Sequence, residues 1–302
     1  MKARLMAWPG ILMLCLVLGA VCACAKKPEL GTEENPIVWS FVPSSEMENV
    51  AAGAGEVAEM LHERSGYFFD TNVATEYAGV IEALSTDPPR AHMASLAPFS
   101  YILAADRGVA RAALVAVRYG SPTYNGQLIA RRGSGIRTIR DLEGKSFARP
   151  DPLSTSGWII PMLTMRAAGL VPESDLARIV DVGSHEGVVA AVYNGEADAG
   201  ATYVDARTRL AQDFPDVMEG VKVITLTVAI PNDGVQFSPS LPEDKQERII
   251  QSLLEISGSE RGRAALGKAY QWEALERHDD AFYDPFRQVL QASGLGVDVL
   301  KD

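Results

Sequence analysis

From residue 37 onward, short runs rich in Val, Ile, Phe and Thr alternate with amphipathic segments of helical period. That alternation admits few architectures, because each strand must be followed by a helix that packs back on the sheet it left. Strands are predicted at 37–42, 71–74, 92–96, 112–118, 126–130, 146–148, 179–182 and 197–201. Helices are predicted at 47–65, 77–84, 99–107, 158–168 and 186–193, and 243–291 reads as mainly helical. The fold class is therefore α/β with mostly parallel sheets. Two long extended runs, 124–130 and 221–229, bracket a self-contained α/β block. This spacing predicts two lobes, one formed by 126–225 and the other, discontinuous, by 36–125 plus 226–302, with both runs acting as hinge strands. Ligands in such folds bind beyond the carboxyl ends of the strands, so the cleft between lobes is the expected site.

The amino terminus is an address. Lys2 and Arg4 precede an apolar stretch that ends Val21-Cys22-Ala23-Cys24, so residues 1–23 read as a signal peptide of lipoprotein type. Cys24 is then the lipidated first residue, and 24–35 is a polar tether to the domain. Plain signal cleavage, or retention of the apolar stretch as an anchor, are the competing readings. All three cysteines, Cys15, Cys22 and Cys24, lie in this region, so the exported domain has neither a disulfide nor a cysteine-bound metal. With Lys2 and Arg4 removed, 26 basic side chains face 39 acidic ones, a balance of −13. Such a surface disfavours nucleic acid, and a bound anion must be held by local dipoles against the overall field.

The run Asp151-Pro152-Leu153-Ser154-Thr155-Ser156-Gly157 stands immediately before the helix at 158–168. A helix start offers unpaired N–H groups and about half a positive charge, and three consecutive hydroxyls add neutral donors to it. This composition suits a small tetrahedral anion, and equally an ordinary helix cap. Gly183-Ser184-His185-Glu186 opens the next helix, so His185 is placed beside the hydroxyl loop in a parallel sheet and can donate an N–H to an oxyanion. Tyr77 sits at another strand-to-helix junction and Tyr124 beside the first hinge run; either phenol can donate, or simply pack. Asp205 follows the strand at 197–201. As a ligand wall it would select a monoprotonated oxyanion whose O–H donates to the carboxylate, and otherwise it is a helix cap. Asp233 is a weaker candidate for the same wall, with a turn role before Gly234 as its alternative.

Enzymatic chemistry finds little support. His62, His92, His185 and His278 show no metal-ligand spacing, and no nucleophile elbow, phosphate-binding loop or dinucleotide fingerprint occurs. A triad of Ser156, His185 and Asp205 can be drawn, yet adjacent hydroxyls suit several hydrogen bonds better than one activated nucleophile. No catalytic residue, cofactor or metal is expected.

The chain resembles the periplasmic substrate-binding proteins of phosphonate, phosphite and phosphate ABC transporters. The resemblance spans almost the whole exported chain. It is densest in Asp141-Leu142-Glu143-Gly144-Lys145, the Ser154-Thr155-Ser156-Gly157 loop with Pro161, and Gly183-Ser184-His185, with further matches in Glu76-Tyr77-Ala78-Gly79-Val80, Asn194-Gly195-Glu196-Ala197-Asp198 and Ile230-Pro231-Asn232-Asp233. It implies a type II periplasmic-binding fold closing on one phosphorus oxyanion. The ligand would be held by Ser154, Thr155, Ser156, His185, Tyr77 and Tyr124, with Asp205 as the acidic wall. Aminoalkyl-phosphonate binders carry Glu where this chain has Asp205 and aromatics near Leu96. Phe99 and Tyr101 instead follow the phosphite- and phosphate-like branch. The function implied is that of a lipid-anchored, monomeric receptor outside the inner membrane, wrapping the anion in uncharged donors and passing it to an ABC permease. Another small organic anion, a signalling ectodomain, or less readily a Ser156/His185 hydrolase remain alternatives, and the choice among phosphate, phosphite and phosphonate stays open.

Overall fold

The computed structural model describes residues 28–294; the signal segment 1–23 and the lipidation position Cys24 lie outside the described residues. The chain opens with β1 (Ile37–Phe41), α1 (Met47–Ser65), β2 (Phe69–Val73), α2 (Tyr77–Ser85), β3 (Met93–Ser95), α3 (Pro98–Asp106) and β4 (Arg111–Val117). It then crosses to a second unit: β5 (Thr123–Arg131), β6 (Ser146–Arg149), α4 (Ile160–Ala167), α5 (Pro172–Asp175), β7 (Arg178–Asp181), α6 (His185–Asn194), β8 (Ala199–Tyr203), α7 (Val217–Gly220) and β9 (Val221–Pro231). It returns through β10 (Gly234–Phe237), α8 (Glu243–Gly258), α9 (Glu260–Tyr270), β11 (Ala274–Arg277) and α10 (Asp284–Ala292).

Two sheets result, ordered β11-β4-β10-β3-β1-β2 and β7-β6-β8-β5-β9. Each has a parallel half, β1 with β2 and β3 in one, β6 with β7 and β8 in the other. The strands next to the crossings pair antiparallel: β10 with β3 and β4, β11 with β4, and β5 with β8 and β9. The sheets are thus more mixed than the strand–helix alternation suggests, because a strand that re-enters a sheet from the other unit arrives from the opposite end.

Local chemistry explains the elements. Helix α1 buries Val50, Val57, Met60 and Leu61 at helical spacing and stops where Gly66 adopts φ 76° and donates to the His62 carbonyl. Gly53 on the same helix lies against α9; a Cβ there would stand 2.6 Å from the Ala265 carbonyl oxygen. Strand β10 escaped the sequence reading because Asn232-Asp233-Gly234 looks like a turn. A Cβ on Gly234 would fall 1.9 Å from the Leu114 oxygen, so only glycine lets this backbone lie against β4. β11 escaped because it is an edge strand whose Glu276 and Arg277 face solvent.

Two expectations change. Residues 28–35, expected as tether, are docked on the domain: Gly31 donates to Asn35 O at 2.7 Å, Phe68 donates to Gly31 O at 2.9 Å, and Glu29 pairs with Lys245 at 2.8 Å. The second extended run stays in its own sheet as far as Pro231, so the chain crosses at 118–122 and 232–233, later than a boundary at 225. The crossings lie side by side, with Asn232 donating to the Pro122 and Ser121 carbonyls at 2.8 and 3.0 Å.

Candidate functional site

The carboxyl ends of β1, β3 and β6 and the start of α6 converge on one cavity of about 30 Å³ between the sheets. Val42, Ser44, Ser45, Ala97, Arg118 and Asp233 line it from the first unit, facing Tyr124, Ser154, Thr155, Ser156, His185, Tyr203 and Arg209 from the second, with Tyr270 and Gln271 completing the lining. Of the residues singled out from sequence, Tyr124, Ser154, Thr155, Ser156, His185 and Asp233 share this cavity.

The hydroxyl loop is more than a cap. Ser154 does cap, accepting from Gly157 N at 3.2 Å. The chain then makes one wide turn in which Ile159 donates to Ser154 O and Ile160 to Thr155 O, five residues back, before α4 proper begins. Such wide turns leave backbone out of ordinary helical register and recur at functional sites. Glycine is needed here, since a Cβ on Gly157 would lie 2.3 Å from Pro150 Cδ. Asp151 braces the loop by accepting from Leu153 N at 2.7 Å and reaches across the cleft to accept from Tyr77 N at 3.1 Å. Thr155 reaches across as well, its hydroxyl accepting from Phe99 N at 2.9 Å. The starts of α2 and α3 therefore point their unpaired N–H groups at the hydroxyl loop.

His185 lies 4 % exposed at the start of α6. Its Nδ1 is 2.8 Å from the Thr202 hydroxyl and its Nε2 is 3.5 Å from Ser154 Oγ, while its ring stands edge-on to Tyr203. Burial, helped by the nearby Arg118 charge, lowers its pKa from 6.5 to about 3, so the imidazole is neutral at physiological pH. The Tyr124 phenol lies beside Ser156, and burial raises its pKa. Tyr77 is fully buried behind the wall, its phenol beside Ser154, and burial likewise keeps it protonated. Its expected ligand contact is thus replaced by contact with a cavity hydroxyl.

Arg118 is a residue sequence reading missed, and with Arg209 it means the cavity is not lined by uncharged groups alone. Its guanidinium, between the Tyr124 and Tyr203 rings at 5.6 Å from each centroid, pairs with Asp233 at 2.9 Å. Asp233 also accepts from Trp272 Nε1 at 3.1 Å. Burial acts most strongly and disfavours the Arg118 charge, but the Asp233 carboxylate and the surrounding tyrosines together more than offset it, and its pKa ends above the ordinary value. The signal available in sequence was position: Arg118 follows β4 where the chain leaves the sheet, and Ser44-Ser45 follows β1 in the same way.

Asp205 does not join the wall. Its carboxylate accepts from Arg207 Nε at 2.9 Å and Nη2 at 2.6 Å, and from Gln127 Nε2 at 2.9 Å, and its side chain caps the turn that follows. An arginine two residues away satisfies it more readily than a distant cavity does. The drawn triad is absent too, since His185 meets Thr202 and Ser154, and neither Asp205 nor Ser156 is its hydrogen-bond partner. Tyr101 donates to Asp280 and lies away from the cavity. Among the described residues no cluster of His, Cys, Asp and Glu could hold a metal ion.

At the cavity wall the units are joined directly. Ser45 donates to Glu186 Oε1 at 2.6 Å, Arg209 Nε donates to the same oxygen at 3.1 Å, and Arg209 Nη2 reaches Lys268 O at 3.4 Å. His185 N donates to Ser44 O at 3.3 Å and Ser184 to Glu46 at 3.2 Å.

Comparison with known proteins places this geometry. The family described as "ABC transporter, phosphonate, periplasmic substrate-binding protein" matches residues 39–283. The phosphonates-binding periplasmic protein of Escherichia coli K12 is 25 % identical over 263 residues, 85 % of this chain and 76 % of that one. The phosphate-import protein PhnD of Mycolicibacterium smegmatis is 28 % identical over 301 residues, 92 % of this chain and 93 % of that one. Among solved structures, the binding protein component of a phosphonate ABC transporter from Pseudomonas aeruginosa superposes with TM-score 0.77 at 22 % identity, covering 88 % of this chain and 89 % of that one. PhnD1 of Prochlorococcus marinus, in complex with methylphosphonate, superposes with TM-score 0.75 at 13 % identity, covering 86 % and 98 %. The fold is that of the type II periplasmic-binding proteins.

Proposed function

This chain belongs to the family of periplasmic substrate-binding proteins of phosphonate ABC transporters, proteins that bind and do not catalyse, and on that premise we propose that it captures a small phosphorus oxyanion between its lobes. Phosphate, phosphite and simple phosphonates share the tetrahedral oxyanion that the cavity suits. The observation that carries the reading is the convergence of three buried hydroxyls, Ser154, Thr155 and Ser156, with His185, Tyr124 and Arg118 on one cavity. A hydrogen bond to a charged group is worth about 1.5–3 kcal/mol, so several of them hold an anion firmly although the chain carries net negative charge. Thr155 accepts from Phe99 N and keeps its own O–H to donate to a ligand oxygen, and the Ser154 hydroxyl, 3.5 Å from His185 Nε2, can turn its proton the same way.

The chain would be anchored through lipidated Cys24 and would deliver its ligand to an inner-membrane permease. Lobes divided at 118–122 and 232–233 would open and close about those two crossings. Calorimetry against phosphate, phosphite and methylphosphonate tests the binding. Thr155→Ala should weaken the tightest of them by about 10-fold or more, the loss of one charge-assisted bond; an unchanged affinity would remove the loop from the site. For the anchor, Cys24→Ala should release the protein from the membrane fraction of the expressing cell.

A further inference from the structure

We propose that Arg118 is the specificity-determining residue of the cavity, admitting oxyanions without a cationic substituent and rejecting those that carry an ammonium group. This deepens the reading above and rests on it. Asp233 is the one carboxylate on the cavity lining, and its charge is already met by Arg118 at 2.9 Å, while its Oδ2 accepts from Arg118 Nη2 and Trp272 Nε1 and its Oδ1 accepts no hydrogen bond. A ligand ammonium would meet only a carboxylate whose charge Arg118 already neutralises, and would face that guanidinium, fixed between two tyrosine rings, with Arg209 as a second cation on the lining. Like charges at contact in a buried site are strongly unfavourable, because little water is present to screen them.

The same residue has something to offer an anion. Arg118 is 8 % exposed, and its Nε has no hydrogen-bond partner although it is buried. A buried donor left unsatisfied is uncommon and asks for a partner. An oxyanion in the cavity would supply one. The cavity has the space as well, since about 30 Å³ exceeds the roughly 10–15 Å³ that one water needs.

The pair also spans the two crossings, Arg118 closing the outward one and Asp233 lying in the return. The charge that sorts ligands is thereby held where both segments leave the first sheet, and the rings of Tyr124 and Tyr203 flank it from the second unit.

Calorimetry with methylphosphonate, n-propylphosphonate and 2-aminoethylphosphonate separates charge from size, because the last two have nearly the same shape. The wild-type protein should bind propylphosphonate at least 10-fold more tightly than aminoethylphosphonate. Arg118→Met, which frees Asp233, should weaken methylphosphonate by about 10-fold and shift the aminoethyl-to-propyl ratio at least 10-fold toward the amine. Arg118→Lys should restore the original order. Equal wild-type affinity for the shape-matched pair, or an unshifted ratio in a folded Arg118→Met protein, would overturn the assignment. If Arg118→Met does not fold, judged by its melting curve, the wild-type comparison still decides. A wild-type protein that binds no phosphorus oxyanion at all would instead refute the functional reading beneath it.

Discussion

His185 carries the clearest consequence of burial at the scale of a single side chain. An imidazole in water holds its proton to about pH 6.5, whereas this one gives it up until the pH falls to about 3. The unfolded chain therefore binds a proton in that window that the folded chain does not, so acid favours unfolding. Stability linked to the neutral ring is complete above pH 6.5 and is lost progressively as the pH drops toward 3, amounting to on the order of 4 kcal/mol at the acid end. Urea midpoints measured from pH 7.5 to 3.5 should fall less steeply in His185→Gln than in wild type; parallel curves would mean the ring titrates normally. Residue type and junction position made His185 and the three hydroxyls legible, because a helix start after a strand has unpaired donors whatever surrounds it. Asp205 had the same local signature and a different fate. Its neighbour Arg207 took the carboxylate, and only the path of the backbone determines which way a side chain at such a junction turns.

At the scale of elements, two glycines show how closeness of approach is written into single positions. Gly53→Ala would favour the α1 helix by its propensity, about 1 kcal/mol. Against this, the added Cβ meets α9 backbone at 2.6–2.7 Å, and overpacking of this kind costs about 1–3 kcal/mol. A net loss of stability in denaturant titration is expected, and a gain would mean that the two helices separate freely. Gly157→Ala should act elsewhere. Its Cβ collides with Pro150 and Ser154, so the wide turn must shift and oxyanion affinity should drop by about 10-fold or more, a loss that Gly53→Ala, outside the cavity lining, should not produce in the folded protein. Helix α1 was legible to the residue, since nineteen residues of apolar periodicity ending in glycine allow one reading. β10 was not, because four residues are too few for a period and its place in the sheet comes from two neighbours distant in sequence.

For the molecule as a whole, the bonds across the cleft set how readily it closes. Glu186 is 3 % exposed and joins Ser45 and Arg209, yet it is not part of the cavity lining. If the lobes open and close as proposed, the closed form buries this carboxylate, which is tolerable only while its partners remain. Glu186→Gln should therefore reduce ligand affinity by about 10-fold through the closing equilibrium, without changing the preference among ligands. A scattering radius in saturating ligand equal to that of wild type, with unchanged affinity, would show that the contact has no part in closing. The alternation of strands and helices, the two long extended runs and the placing of hydroxyls and His185 at helix starts were all written along the chain, because periodicity and capping are properties of neighbours in sequence. The face that Arg118 and Asp233 present to each other was not. They are 115 positions apart, and their pairing depends on two crossings lying side by side, a matter of how whole sheets meet.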